Sequence, residues 1–202
     1  MARASLRDIR KQEIIDAAID VIGEVGLSDA TLNMIGKRAG LSAPLMVHYF
    51  EDKSFIIEAS MRRLSAVLSR ELLRRVGPET SPTERLDALI EACFSMANFA
   101  PGAMGAWLEF WLHIPRKPNL KRLHKAIAAR FWSNIRFAFS GLVPKEAVDD
   151  GVHGLAALID GFWWRFTIDP DMTDLEQAKR ICRSFVQRYV SACAPNARPR
   201  SR

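Results

Sequence analysis

Residues 31–53 read TLNMIGKRAGLSAPLMVHYFEDK and predict two short helices around a tight turn. Thr31 is a suitable N-cap, because its hydroxyl can accept a hydrogen bond from a free backbone N–H of the first turn. Gly40 stands where the chain must turn left-handed to leave the first helix. Ser42 is a second N-cap, and Pro44 lies near the start of the next helix, where its missing N–H costs little. Two helices that cross steeply at a glycine turn are typical of the helix-turn-helix, whose second helix enters the DNA major groove.

The same stretch resembles the TetR family of repressors, in which a long helix precedes the motif and an aromatic pair followed by a lysine closes it. The residues that carry the resemblance are Thr31, Ile35-Gly36-Lys37-Arg38-Ala39-Gly40-Leu41-Ser42, His48-Tyr49-Phe50 and Asp52-Lys53. Gly36 stands where the family usually has alanine, which weakens a helix by about 1 kcal/mol. Val47 stands where a phosphate-binding tyrosine is common, and Pro44 where glycine is common. An ordinary helical hairpin inside an all-α protein is the alternative.

The resemblance implies that the second helix lies in the major groove. Its small and apolar residues would meet base edges or thymine methyl groups, and its polar end would bind phosphates. The expected DNA-binding residues are Thr31, Lys37, Ser42, Ala43, Pro44, Leu45, Val47, His48, Tyr49 and Lys53. Because few of them can form bidentate hydrogen bonds, base recognition would depend on apolar contacts and on DNA shape.

The composition of the 202-residue chain is ordinary for a globular protein, with 49% hydrophobic and 26% charged residues. No apolar run approaches the roughly 20 residues that cross a bilayer, and the first residues lack the apolar core of a signal peptide. We therefore expect a cytoplasmic protein without a membrane partner. The net charge is +6, but residues 1–53 hold seven cationic and eight acidic side chains, a net of −1. DNA binding by this part must therefore depend on where the cations lie.

Apolar periodicity and Gly/Pro breaks predict an all-α protein of about nine helices. Besides the two helices of the motif, we expect helices at about 5–25, 53–76, 82–99, 103–114, 119–140, 145–168 and 173–192. We expect a three-helix DNA-binding head at residues 1–53, a ligand-binding and dimerisation body at 54–193, and a disordered basic tail at 194–202.

Signals for an enzyme are absent from the sequence. The four histidines, at positions 48, 113, 124 and 153, form no metal-binding pair, and the chain has no phosphate loop, dinucleotide fingerprint or nucleophile elbow. Cys93, Cys182 and Cys193 show no C-x-x-C spacing and are expected to be structural thiols. We therefore expect no enzyme activity, no cofactor and no metal.

Aromatic residues dominate two predicted helices of the body. Trp107 and Trp111 are four residues apart, so they share one helix face, and Phe110 flanks them. Asp160 is a lone acid in an apolar run, one turn before Trp163 and Trp164. Indole rings and a carboxylate together are the components of a site for an alkylammonium cation. The alternative is that the tryptophans pack in the core and that Asp160 pairs with a group of the protein.

These two segments closely resemble the choline-responsive repressors of glycine betaine synthesis, within the TetR family. The resemblance implies a repressor that leaves its operator when choline or a related amine binds, with a ligand site formed by Trp107, Phe110, Trp111, Asp160, Trp163 and Trp164. An apolar or flavonoid-like effector would use the same tryptophans without needing Asp160. The ligand would shift helix 53–76 and so change the spacing of two DNA-binding heads.

The last two long helices predict a homodimer. Apolar residues recur on both at steps of three and four, so that two helices from each subunit would form a four-helix bundle. The expected interface residues are Leu155, Ile159, Phe162, Ile181, Phe185 and Tyr189, and Gly151 and Gly154 allow close helix approach. An intramolecular core is the alternative. A symmetric dimer would recognise an inverted repeat in double-stranded DNA.

Three readings of function remain open from the sequence. The first is the ligand-released repressor, and the second is a small-molecule binding module with weak DNA specificity. The third is an all-α enzyme that uses the Trp/Asp160 region. A run of cations from Arg116 to Arg136, with no acid between Glu109 and Glu146, is compatible with a second nucleic-acid surface. We favour a solvated helix face for this run.

Overall fold

The computed structural model of the chain describes residues 5–50, 52–169, 171 and 174–194. These residues form nine α-helices and contain no strand, so the predicted all-α class is confirmed. The helices are α1 (Leu6–Val25), α2 (Leu32–Arg38), α3 (Ala43–Tyr49), α4 (Lys53–Leu73), α5 (Pro82–Cys93), α6 (Pro101–His113), α7 (Pro118–Ser140), α8 (Val148–Ile168) and α9 (Leu175–Cys193). Short 3-10 helices, Ile114–Arg116 and Lys145–Ala147, precede α7 and α8.

The predicted helix at 82–99 is too long, because α5 ends at Cys93. The following residues form turns, in which the backbone N–H of Asn98 donates to the carbonyl of Ser95 at 2.9 Å. The Asn98 side-chain amide also donates to the Ser95 hydroxyl at 3.0 Å. Such local side-chain bonds offer the backbone an alternative to the helix. The predicted tail falls almost entirely on residues 195–202, which lie outside the described residues.

The chain divides into two compact units. Unit 1 comprises Met1–Arg70 and Ser95–Ile127, and unit 2 comprises Glu71–Phe94 and Ala128–Arg202. Unit 1 therefore joins the three N-terminal helices to α6 and the start of α7, while unit 2 contains α5, α8 and α9. The compact units do not divide at residue 53, and the boundary between DNA-binding head and ligand-binding body remains a prediction.

Unit 1 is organised around α1 and α6, which make the most extensive helix–helix contact of the chain. A Cβ on Gly105 would lie 2.5 Å from the carbonyl oxygen of Gly23, and a Cβ on Gly23 would lie 2.4 Å from the carbonyl oxygen of Gly102. The two backbones therefore touch where only glycine fits. Around this contact, α1 buries its apolar face: Ile14, Ile15, Ala17, Ala18, Ile19, Val21 and Ile22.

Unit 2 packs α9 against both α5 and α8. Phe94, Phe139 and Leu155 are fully buried in it, and the buried thiols Cys93 and Cys182 are unbridged, as predicted. Burial raises the pKa of the Cys182 thiol to about 12, so this side chain stays an uncharged core group at neutral pH.

The glycine contact between α1 and α6 makes a prediction for stability. Gly105→Ala should lower the free energy of unfolding by about 1–3 kcal/mol, because its methyl group would overlap a backbone oxygen that cannot rotate away. Urea unfolding followed by circular dichroism measures the change.

The matched control is Gly161→Ala in the middle of α8, where a new Cβ would meet nothing within 4 Å. This variant should be neutral or more stable by up to about 1 kcal/mol, since alanine favours the helix. Equal stability of the two variants would show that the α1–α6 packing adjusts to a methyl group at no cost in stability.

Candidate DNA-binding and ligand-binding sites

The turn between α2 and α3 has the conformation that its sequence predicts. Gly40 adopts a left-handed conformation with φ of +68°. The N–H of Leu41 donates to the carbonyl of Gly36 at 2.8 Å, and the N–H of Gly40 donates to that of Lys37 at 3.3 Å. This pair of bonds is the Schellman motif, which satisfies the last carbonyls of α2 and directs the chain into α3.

Gly36, which departs from the family pattern, has a packing role. A Cβ at this position would lie 2.9 Å from Cγ of Met46 and 3.0 Å from the carbonyl oxygen of Leu41. Met46 and Ile35 are buried at 0% and 1% exposure and hold α3 against the rest of unit 1. Glycine at position 36 costs helix propensity, but its lack of a side chain allows a closer approach of α3 to α2.

Both predicted caps occupy N-cap positions, but only one forms the expected bond. The Thr31 hydroxyl accepts a hydrogen bond from the Met34 N–H at 3.2 Å, as predicted. Ser42 has the extended backbone of an N-cap, yet its hydroxyl accepts no capping bond in the described part of the chain. The predicted N-cap position of Ser42 is confirmed, and this exposed residue directly precedes α3.

The predicted DNA-contacting residues that the structure describes lie at the surface of unit 1. Leu45 is 40% exposed, and Lys37 and His48 are exposed as well. The rings of His48 and the half-buried Tyr49 meet edge to face, with centroids 5.7 Å apart. The side chains of Ala43, Pro44 and Val47 lie outside the description.

The ammonium group of Lys53, a predicted phosphate contact, also forms a hydrogen bond within the protein. The Nζ donates to the carbonyl of Ser28, in the loop between α1 and α2, at 3.1 Å. Partial burial lowers the pKa of Lys53, and Lys117 lowers it further by repulsion, while Asp29 opposes the shift.

The acids of α1 are largely paired inside unit 1. Arg38 of α2 binds Glu24 through two hydrogen bonds, one of them 2.9 Å, and Arg63 of α4 binds Asp16 at 2.9 Å. The hydrogen bond from Arg38 is the main reason that the pKa of Glu24 is lowered. These pairs join α2 and α4 to α1 and withdraw two arginines from the set that is free to bind DNA.

A cluster that the sequence did not indicate connects α6 to the loop after α1. The Glu109 carboxylate accepts a 2.7 Å hydrogen bond from the backbone N–H of Leu27. One turn later, Nδ1 of His113 lies 2.8 Å from the carbonyl of Glu109, and Nε2 lies 3.4 Å from the Ser28 hydroxyl. Since a carbonyl only accepts, Nδ1 carries the proton, and in the neutral ring Nε2 accepts from Ser28. The partners are more than 80 residues apart, so no local pattern could have revealed them.

The aromatic residues of α6 form a compact group in unit 1. The indole rings of Trp107 and Trp111 are stacked, with centroids 6.1 Å apart and planes at 29°. Phe110 is fully buried and meets Trp107 edge to face at 6.2 Å. Trp107 is 8% exposed, whereas Trp111 is only half-buried.

The remaining predicted ligand residues belong to α8 in unit 2. Trp163 is buried at 6% exposure, whereas Trp164 is 48% exposed and points away from the core. Asp160 keeps contact with solvent, and no ion pair forms at its carboxylate within the described residues. Partial burial raises the pKa of Asp160 above the usual value for aspartate.

Two of the predicted dimer residues are core residues instead. Leu155 and Ile159 are 0% and 3% exposed within the protomer, so they cannot meet a second subunit. The helical period placed them on the same apolar face as exposed positions, but packing within the protomer buries them. Phe162 is half-buried and meets Phe94 edge to face at 6.2 Å.

The exposed apolar part of α8 and α9 is narrower than predicted. Ile181 is 40% exposed, and the half-buried rings of Phe185 and Tyr189 stack with centroids 5.6 Å apart. A shallow groove on unit 2 is lined by Leu158, Ile181, Ser184, Phe185, Arg188 and Tyr189. Gly151 and Gly154 lie against the Tyr189 and Phe185 rings, which confirms that they permit close helix approach.

The described residues provide no candidate for a metal site or for a membrane-spanning helix. No group of three or more His, Cys, Asp or Glu side chains is placed to hold a metal ion in that part of the chain. Among the same residues, no helix is both long enough and apolar enough to span a bilayer.

Comparisons with known proteins agree with this arrangement of a DNA-binding motif and a helical body. Residues 14–60 match the family model "Bacterial regulatory proteins, tetR family". Residues 82–191 match the model "BetI-type transcriptional repressor, C-terminal". The chain is 34% identical over 198 residues to the HTH-type transcriptional regulator BetI of Cronobacter sakazakii, covering 97% of this chain and 98% of that protein. It is 35% identical over 192 residues to BetI of Escherichia coli K12, covering 94% and 98%.

Solved structures share the fold at lower identity. A putative TetR-family regulator from Rhodococcus has a TM-score of 0.79 at 18% identity, over 90% of this chain and 99% of that chain. A putative transcriptional regulator from Saccharomonospora viridis, solved in complex with choline, has a TM-score of 0.77 at 18% identity, over 88% and 95%. With both parts of the chain matched and relatives aligned along nearly their whole length, the protein belongs to the TetR family of helix-turn-helix transcriptional regulators and is a repressor of the BetI type.

Proposed function

We propose that this repressor binds an inverted-repeat operator as a homodimer and leaves it when choline or a related quaternary ammonium compound binds. The observation that carries the proposal is the composition of α6. The stacked Trp107–Trp111 pair lies on the same helix as Glu109 and His113, which bind the loop after α1. A single helix thus carries both a surface suited to a cation and the bonds to the DNA-binding part.

Indole faces are the preferred protein surface for a quaternary ammonium group, which cannot donate a hydrogen bond. In the proposal, Trp107 and Trp111 of α6 supply such faces. Asp160 of α8 is proposed separately, from the sequence, as an anionic group that choline binding depends on. The raised pKa of Asp160 supports this role, because a partly desolvated carboxylate with no ion pair among the described residues is stabilised when a cation binds.

The signal would travel through bonds that α6 makes inside unit 1. Ser28 binds His113 through its hydroxyl and Lys53 through its carbonyl, so it joins α6 to the first residue of α4. A ligand that prefers one position of α6 would shift this junction, because differential affinity is what moves an equilibrium. This route adds α1 and its loop to the shift of α4 that we expected from the sequence.

The enzyme alternative has little to support it. TetR-family regulators are typically not enzymes, and they bind DNA and dimerise.

We propose that α3 carries the base contacts and that the homodimer forms through the exposed strip Leu158, Ile181, Phe185 and Tyr189, together with Phe162. Leu155 and Ile159 support this strip from beneath.

The first test measures release from DNA. The full-length protein is titrated onto duplex fragments from upstream of its own gene, or onto duplexes selected from a random pool, at fixed salt. Choline should weaken binding of the wild type. Trp111→Ala should bind the same DNA but need about two- to thirtyfold more choline, since an indole–cation contact contributes about 0.5–2 kcal/mol.

Trp132→Ala is the control, because Trp132 is a half-buried tryptophan of α7 outside the proposed ligand set. If both variants respond to choline like the wild type, the assignment to Trp111 is wrong. If the wild type itself holds its DNA at all choline concentrations, the effector proposal fails.

The second test uses pH, since choline has no group that titrates in this range. Below the raised pKa of Asp160 the carboxyl is neutral and offers no counter-charge, so choline affinity should rise as the pH increases through that pKa and then level off. Asp160→Asn should bind choline more weakly and without this dependence, as measured by calorimetry on the full-length protein.

Asp169→Asn, at the exposed end of α8, is the control and should keep the wild-type profile. A choline affinity that Asp160→Asn leaves unchanged would exclude Asp160 as the counter-charge.

The third test concerns the dimer. Ile181→Glu places a charge on the exposed strip and should convert the protein to monomers that have lost most of their operator affinity, because two half-sites must be held together. Analytical ultracentrifugation measures the mass. Met96→Glu, at a 77% exposed position in unit 1, should remain a dimer. A dimeric Ile181→Glu protein would exclude this strip as the interface.

A further inference from the structure

We infer that the start of α7 is a second DNA-contacting surface, which binds phosphates that flank each operator half-site. We call it the α7 basic surface and define it as Arg116, Lys117, Lys121, Arg122 and Lys125. The inference rests on DNA binding in the proposed function and adds a partner surface outside the helix-turn-helix.

The five cations of the α7 basic surface are all exposed. None of them forms a salt bridge within residues 5–50, 52–169, 171 and 174–194, and no acidic residue occurs between Glu109 and Glu146. Arg136, farther along the same helix and in unit 2, is paired with Asp149. The absence of acidic partners is therefore a property of the first half of α7 and not of basic residues on this helix in general.

The position of this surface in unit 1 links it to the predicted DNA-binding residues. The amide of Asn119 donates a 2.8 Å hydrogen bond to the carboxylate of Glu58, which holds the start of α7 on α4. Glu58 is five residues after Lys53, about 7.5 Å along the helix. Lys117 is also near enough to Lys53 to lower the pKa of that lysine by repulsion. The α7 basic surface is therefore continuous with the first turn of α4.

Helix packing orients the cations toward solvent. Leu120 and Leu123 are 0% and 6% exposed and fix the inner face of α7, so Lys121 and Lys125 project together from the outer face one turn apart. The positive end of the helix macrodipole repels cations at the N-terminus of α7. The first turn of α7 has no acidic residue that would reduce this repulsion. An anionic partner would remove this repulsion.

The charge balance of the N-terminal region gives a reason for such a surface. Residues 1–53 carry a net charge of −1, and Arg10 and Arg38 are engaged by Glu13 and Glu24. Arg7, Lys11 and Lys37 are the described cations of that region that form neither an ion pair nor the Lys53 bond to Ser28. Further cations would add to the phosphate neutralisation that supplies most of the non-specific affinity of DNA-binding proteins. We therefore favour a phosphate-binding role over a merely solvated face for this half of α7.

The experiment measures how DNA affinity depends on salt. Lys121→Gln/Lys125→Gln and a control, Arg130→Gln/Lys145→Gln, remove the same charge. The control residues are exposed cations of unit 2. Fluorescence anisotropy with a mixed-sequence duplex of about 40 base pairs gives the affinity of each full-length protein between about 50 and 200 mM salt. Circular dichroism and thermal melting verify that the variants are folded.

The slope of log affinity against log salt should become less steep by about 0.9 for each phosphate that the variant no longer neutralises. For a dimer in which four lysines are replaced, the slope should therefore change by up to about 3.6. The control should keep the wild-type slope. Hydroxyl-radical footprinting on a selected operator should show protection outside the half-sites that the Lys121/Lys125 variant lacks. Lys121→Glu/Lys125→Glu should weaken binding further, which keeps the test decisive if the glutamine variant folds poorly.

Equal slopes for the Lys121/Lys125 variant and the control would overturn the inference. So would binding of the α7 basic surface to phosphatidylserine vesicles together with an unchanged DNA slope. Failure of the proposed function gives a different result. If choline does not release the wild-type protein from DNA, the salt slope of the Lys121→Gln/Lys125→Gln variant should still be less steep than that of the wild type.

Discussion

The contact between α1 and α6 at Gly23 and Gly105 governs the arrangement of unit 1. The two backbones approach so closely that a methyl group on Gly105 would lie 2.5 Å from a carbonyl oxygen of α1. A close-packed contact of this kind transmits displacement, because neither helix can slide without moving the other. The bond from the Leu27 N–H to Glu109 and the contact of His113 with Ser28 continue the attachment beyond the end of α1.

Ion pairing inside unit 1 explains how an acidic first helix can belong to a DNA-binding protein. Asp16 and Glu24 are engaged by Arg63 and Arg38, so their charges hold α1, α2 and α4 together. Being partly exposed, each pair contributes little net free energy, but both help to fix the relative positions of α1, α2 and α4. Of these three helices, the seven-residue α2 is too short to be stable alone.

The local features of the helix-turn-helix were predictable from the sequence. The left-handed Gly40, the Thr31 cap and the buried Ile35 follow from rules that act within one or two turns of a helix. Periodicity predicted the apolar faces of α8 and α9 but could not separate Leu155, which is buried, from Ile181, which is exposed. Both satisfy the same repeat, and only the tertiary packing of the protomer decides which side solvent can reach.

The sequence by itself determined the all-α class, the helix-turn-helix with its turn, the family, and the aromatic pair of α6, because each depends on neighbouring residues or on a motif of fixed spacing. Only the tertiary structure decided that Glu109 caps Leu27, that Lys53 is held by Ser28, and that Asn119 places the start of α7 on α4. These contacts join residues 25 to 82 positions apart. A hydrogen bond between such distant groups depends on how whole helices pack, and no local preference of the chain encodes that packing.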